Sequence, residues 1–165
     1  MRYGIMWLFK SPSQRQVAIG LTVLRVVLGA TFIAHGAQKL FVMGLPAISG
    51  GFAQMGIPMA GFFGPFVSLV EFFGGIAIVL GLLTRMTGLA LAVNMVVAML
   101  SVHLKNGFFN PNGVEFPLAL FGMSVALMTM GAGALSIDAV LSNRSTTRTL
   151  PASAERGASP RRRAA

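Results

Sequence analysis

The sequence contains no cysteine among its 165 residues. That absence excludes structural disulfides, CxxC redox chemistry, thiolate nucleophiles, cysteine-ligated zinc and iron–sulfur clusters; it does not reveal the compartment. Charge is scarce as well: 10% of residues are charged, where an ordinary soluble domain has about 25%. Four residues are acidic against thirteen Lys and Arg, for a net charge of +9. No phosphate-binding loop, nucleophile elbow or HExxH motif occurs, which argues against a self-contained hydrolase. What is present is apolar: 55% of residues, with a mean hydropathy of +0.75. So little polar surface cannot cover a water-soluble core, and an all-α membrane protein is the expected class.

The basic excess does not point to nucleic acid. A nucleic-acid binder carries its cations on a folded face, whereas here residues 1–16 hold +3 and residues 142–165 hold +5, flanking apolar segments that together hold +1. Residues 86–104 and 116–137 are uncharged runs of 19 and 22 residues, and about 20 helical residues cross a bilayer core. Two further apolar segments, 17–41 and 65–83, contain Arg25 and Glu71 respectively. The spacing predicts a four-transmembrane-helix bundle with a tight connection at 84–88, Pro65 and Pro117 suiting the first turns of their helices. Sixteen residues precede the first span, Arg25 interrupts it and no convincing small-x-small cleavage site follows, so it is read as retained and not as a secretion signal.

Four spans put both termini on one side. That side and the 84–88 turn hold ten Lys and Arg, against Lys39 and Lys105 on the other, which predicts cytoplasmic termini. Residues 1–16 then form a cytoplasmic segment with Tyr3, Trp7 and Phe9 as an interfacial anchor, 17–141 the membrane domain, and 142–165 a disordered basic tail. In the longer outer loop Ile48, Phe52 and Met55 share a helical face, so a short interfacial helix, a lid over the bundle, is expected there.

Ionisable residues inside a span are costly and face the bundle interior with a partner. Arg25, Gly29, Gly36 and Lys39 fall within about 80° of arc on the first helix, and Glu71, Gly75 and Arg85 form a like stripe on the second. Glycines let backbones approach, so the two stripes are expected face to face. Counting 1.5 Å per residue leaves an axial gap of about 9 Å between Arg25 and Glu71, just bridgeable by the two side chains; a three-residue shift of the first span makes His35 and Lys39 the partners instead. The plainer reading of Glu71 is a charge pair fixing helix register. The functional one is a proton-handling carboxylate, since burial favours a neutral carboxyl and an adjacent cation opposes it.

His35 and His103 both fall at outer helix ends. Paired haem ligation is disfavoured for want of a haem-packing pattern, and no metal site is expected, the methionines joining no His or Cys in a copper pattern. A quinone headgroup site drawing on Glu71, a histidine, Phe41, Phe108 and Phe109 is the alternative, beside the bland reading of wet interfacial histidines. Asn94, mid-way along the third span, reads as an interhelical hydrogen bond.

In the first span Leu24-Arg25-Val26-Val27-Leu28-Gly29 is followed by His35-Gly36-Ala37-Gln38-Lys39-Leu40-Phe41. Beyond it come Gly56-Ile57-Pro58, Glu71-Phe72-Phe73-Gly74-Gly75, Gly81-Leu82-Leu83-Thr84-Arg85, Val102-His103-Leu104, Gly107-Phe108-Phe109 and Ser136-Ile137-Asp138. In order and spacing this resembles the DoxX family of small four-helix bacterial inner-membrane proteins, over about residues 21–141; Gly131-Ala132-Gly133-Ala134 departs from that family's G-P-G-plus-basic corner. The resemblance implies redox work near quinone, as in a membrane subunit of thiosulfate:quinone oxidoreductase or a partner of superoxide dismutase in oxidative defence. On that basis the chain is expected to be a quinone-facing or accessory subunit, enzymatic only as part of an oxidoreductase. Glu71, His35 and His103 are the candidate catalytic groups, and Arg25, Lys39, Arg85, Phe41 and Phe108 the candidate binding groups for quinone. Expected partners are the lipid bilayer, redox proteins and further copies of the chain, and no nucleic acid. The competing readings are a non-catalytic scaffold whose charges lock helix packing and, lower, a solute carrier, which the absence of broken helices disfavours.

Overall fold

The computed structural model describes residues 10–147, with side chains as far as residue 143. Tyr3, Trp7 and Phe9, expected to form an interfacial anchor, and the tail beyond 147 lie outside the described residues. Six α-helices follow in order: α1 Gln14–Ala37, α2 Leu45–Gln54, α3 Ala60–Leu80, α4 Thr84–Ala98, α5 Glu115–Met130 and α6 Ile137–Thr147. Ser13 starts α1 with a capping box, accepting from the Gln16 amide while the Gln16 side chain accepts from the Ser13 amide. A π-helical turn over Gln38–Met43 prolongs α1, and Met99–His103 and Leu104–Asn106 prolong α4 in π and 3-10 form. The prolonged α1, α3 and the prolonged α4 are each long and apolar enough to cross a membrane. At 16 residues α5 is shorter, with a rise of about 24 Å.

The boundaries differ from the sequence expectation in four places. The second span begins at Ala60 and takes Pro65 inside the helix; the clash that bars α geometry before proline involves the Cβ of the preceding residue, and that residue is Gly64. The last span stops at Met130, because Gly131 and Gly133 turn to positive φ. Residues 84–88 are no connection but the first turn of α4; the chain reverses at Gly81–Leu83, with Gly81 and Leu83 left-handed. Residues 142–147, expected to be disordered, continue α6.

α1 packs along α3, α4 along α5, and α2 lies across the start of α3, while α3 and α4 touch more sparsely. The α1–α3 seam is antiparallel and glycine-set. A Cβ on Gly36 would fall 2.5 Å from the Phe72 amide nitrogen, and one on Gly75 would fall 2.7 Å from the Gly29 carbonyl. Gly88 approaches the α5 backbone at Ser124 in the same way, at 2.9 Å. Leu21, Leu28, Phe32, Ile78, Leu91, Met95, Leu120 and Leu127 fill the interior. Outward, the helices expose Val23 and Val27, Leu69 and Phe73, Leu89 and Leu100. So extensive an apolar exterior is what a bilayer accommodates and water does not, and with the helix lengths it makes this a membrane protein. The bundle has a lid end, carrying α2, and a turn end, carrying the α3–α4 reversal and α6.

Candidate functional site

Two polar centres lie in the bundle, one toward each end. Towards the lid end, Glu71 on α3 is 3% exposed. The glycine-set seam brings Lys39 of the first π turn against it: Lys39 Nζ lies 2.5 Å from Glu71 Oε2. From the other side Asn94 on α4 donates through Nδ2 to Glu71 Oε1 at 2.9 Å. Each carboxylate oxygen therefore has a donor, and three helices meet at one group. The Lys39 side chain keeps 23% exposure, so the pair is not sealed inside the bundle.

Asn94 also lines a cavity of about 600 Å³ between α2, α3 and α4. Its walls are Phe52, Met55 and Pro58 from the lid, Phe63, Phe66 and Val70 from α3, and Val93 and Val97 from α4, with Ser101 the other polar side chain. An apolar, aromatic-walled cavity with a polar group at one point is the usual form of a small-molecule site. The amide of Asn94 joins that cavity to the Glu71–Lys39 pair.

At the turn end Arg25 is 2% exposed. Its Nη2 donates to Thr22 Oγ1 at 3.2 Å and to the Leu135 carbonyl. A Cβ on Gly81 would overlap the guanidinium, so only glycine fits the reversal there. Asp138 accepts from the Leu83 and Thr84 amides at 2.8 and 2.9 Å, capping α4 from the first turn of α6. Burial pushes the Asp138 carboxyl up, but the hydrogen bonds from Thr84 and Leu83, with the nearby charge of Arg25, outweigh it and hold the group below its ordinary range. Ser136 caps α6 itself, its Oγ accepting from the Ala139 amide at 3.2 Å.

The structure thus unites part of the expected site and disperses the rest. Of Arg25, His35 and Lys39, the partners left open for Glu71, it selects Lys39. Arg25 is about 21 Å from Lys39 along α1 and belongs to the turn end, because the seam lays Gly36 on Phe72 but Gly29 on Gly75 and Val79. Arg85 sits on α4, outside the α3 stripe, and lines a separate turn-end cavity. His35 is exposed on α1, its ring 5.8 Å from that of Phe116. His103 Nδ1 lies 2.8 Å from the Asn112 carbonyl oxygen. Phe41 packs edge-on to Phe72 and Phe108 edge-on to Phe109. None of His35, Phe41, His103 or Phe108 lines the 600 Å³ cavity. Asn94 makes the interhelical bond expected of it. The walls at Phe52, Phe63 and Phe66 were missed; their signal was the shared face of Ala90, Val93, Asn94, Val97 and Ser101 on one helix opposite Phe63, Phe66, Val67 and Val70 on another.

Compared with known proteins, residues 20–104 match the DoxX family model, and residues 63–152 match a model described as TQO small subunit DoxD. The chain is 31% identical over 120 residues to the Bacillus subtilis protein named "Putative oxidoreductase CatD", covering 73% of this chain and 85% of that one. It is 34% identical over 128 residues to the inner membrane protein YqjF of Escherichia coli, covering 76% and 95%. An uncharacterized Haemophilus influenzae protein is 33% identical over 122 residues, covering 72% and 87%. No solved structure matches.

Proposed function

This chain belongs to the DoxX family, and from that premise we propose that it is the quinone-facing subunit of a redox or oxidative-stress assembly in a bacterial inner membrane. One observation carries the reading: the apolar cavity whose polar point, Asn94, is hydrogen-bonded to a buried carboxylate. A quinone ring is flat and apolar with carbonyl oxygens at its ends, which suits aromatic walls and one amide. Asn94 has a second N–H and its Oδ1 beyond the bond it gives Glu71, enough to bind either a carbonyl or a hydroxyl. Reduction of a quinone to the hydroquinone takes two electrons and two protons. Glu71 and Lys39 would exchange the protons with the lid-end water, and a partner protein would deliver or take the electrons. The name "Putative oxidoreductase CatD" of one relative and the description TQO small subunit DoxD of the second family model agree with that division.

The proposed topology is four crossings with both termini in the cytoplasm, α5 spanning a locally thinned bilayer.

The test is titration of a short-chain quinone analogue into the protein in lipid nanodiscs. Saturable binding is expected, weakened about tenfold by Asn94→Val, the loss of one hydrogen bond to the ligand, and weakened by Phe66→Ala, while Phe108→Ala leaves it unchanged. No binding by the unaltered chain, or equal binding by Asn94→Val, overturns the reading. The scaffold reading is favoured by the complete pairing of both Glu71 oxygens, and it predicts no binding at all.

A further inference from the structure

The turn end holds a second cavity, of about 710 Å³, which the quinone reading does not use. It lies between the first turn of α4, the loop 131–136 and α6. Arg85 lines it, and among the described residues that guanidinium has no ion pair or hydrogen bond. The backbone amides of Arg85, Met86, Gly133 and Ala134, all on the lining, likewise have no acceptor among the described residues. Thr84, which also lines it, is fully buried beside Asp138, to which its amide donates at 2.9 Å. One cation and several unused donors facing one space are the complement of an anion with many acceptor oxygens. The carboxylate of Asp138 borders the same space, but both its oxygens are taken by the Leu83 and Thr84 amides.

The rim indicates where that anion comes from. Leu83, Met86 and Met130 are 60%, 71% and 57% exposed beside the cavity. Apolar side chains around a polar, cationic recess at the end of membrane-spanning helices match a molecule with a phosphate head and hydrocarbon tails. We propose that this cavity binds the phosphate of an anionic phospholipid, with Arg85 and the free amides on the headgroup and Leu83, Met86 and Met130 against its chains. Arg25, buried behind Gly81, lies near the Asp138 carboxylate and offsets its charge without reaching the ligand.

The experiment is native mass spectrometry of the full chain released from nanodiscs containing phosphatidylglycerol, cardiolipin or phosphatidylcholine, with a parallel thermal-shift series in inorganic phosphate. Retained adducts of the two anionic lipids are expected. Arg85→Gln should cut their occupancy about fivefold, as one interfacial cation is lost, and Met86→Asp, at a rim position that is 71% exposed, should cut it similarly. Lys105→Gln at the lid end should leave it unchanged. Equal retention of phosphatidylcholine, or adducts undiminished in both Arg85→Gln and Met86→Asp, overturns the proposal. A stabilisation by inorganic phosphate that equals that of the lipids reassigns the site to a soluble phosphate and overturns it too.

Discussion

At the residue scale, Asp138 receives the amides of Leu83 and Thr84 and so ties the start of α4 to the start of α6. Its carboxyl is held below the ordinary range in the folded chain, so its contribution to stability is complete above the unfolded value of about 3.9 and is lost as pH falls through that value towards the folded one. Thermal unfolding in detergent should show a melting temperature that drops below about pH 4, and Asp138→Asn should start lower and lose most of that drop; loss of the cap itself is worth about 1 kcal/mol. Glu71 obeys a different rule, since it is paired inside the bundle. Lys39→Met strands a buried carboxylate and should cost about 3–5 kcal/mol, whereas Lys39→Met combined with Glu71→Met should recover much of it. Unfolding measured on the three variants checks this; a double variant no better than Lys39→Met would mean that the pair does more than hold the helices. Charge in an apolar run showed in the sequence that Glu71 and Arg25 were special, because desolvation is costly wherever the run packs. Whether each stood near chemistry did not show, and Arg25 proves to be a corner post holding the Leu135 carbonyl.

At the element scale, the α1–α3 seam depends on glycines with almost no room to spare. A Cβ on Gly36 would press on the Phe72 backbone at 2.5 Å, and one on Gly75 on the Gly29 carbonyl at 2.7 Å. Gly36→Ala and Gly75→Ala should each destabilise the bundle by about 1–3 kcal/mol through overpacking. Gly20, on α1 like Gly36 but with nothing within 4 Å of its Cβ position, should tolerate alanine without loss. Unfolding midpoints in one detergent compare the three, and an unchanged midpoint for Gly36→Ala would refute the seam. Helix existence was legible in the hydrophobic runs because it is a local property. The ends were less so: Pro65 is accommodated after Gly64, and the pair Gly131 and Gly133 stops α5 where composition stays apolar through Ile137. The lid helix was legible from Ile48, Phe52 and Met55, of which Ile48 is buried and the other two line the cavity.

At the scale of the whole molecule, a chain without native cysteine can report its own orientation. With Ser11→Cys beside α1 and Gln54→Cys at the end of α2, both exposed positions, an impermeant maleimide applied to intact spheroplasts should label Gln54→Cys alone; the reverse pattern would invert the proposed topology. Composition and the lengths of the apolar runs were sufficient by themselves to determine a helical membrane protein, because bilayer thickness acts on each segment separately. They also marked the few groups that must find partners. The choice of partner was beyond them. It rests on the axial register of α1 against α3, set by backbone contacts at Gly29, Gly36 and Gly75. A register error of one helical turn moves a side chain by about 5 Å, enough to exchange one cation for another. Only the packed bundle decides that Lys39 meets Glu71, that Arg25 meets Leu135, and that Asn94 stands between a carboxylate and an apolar cavity.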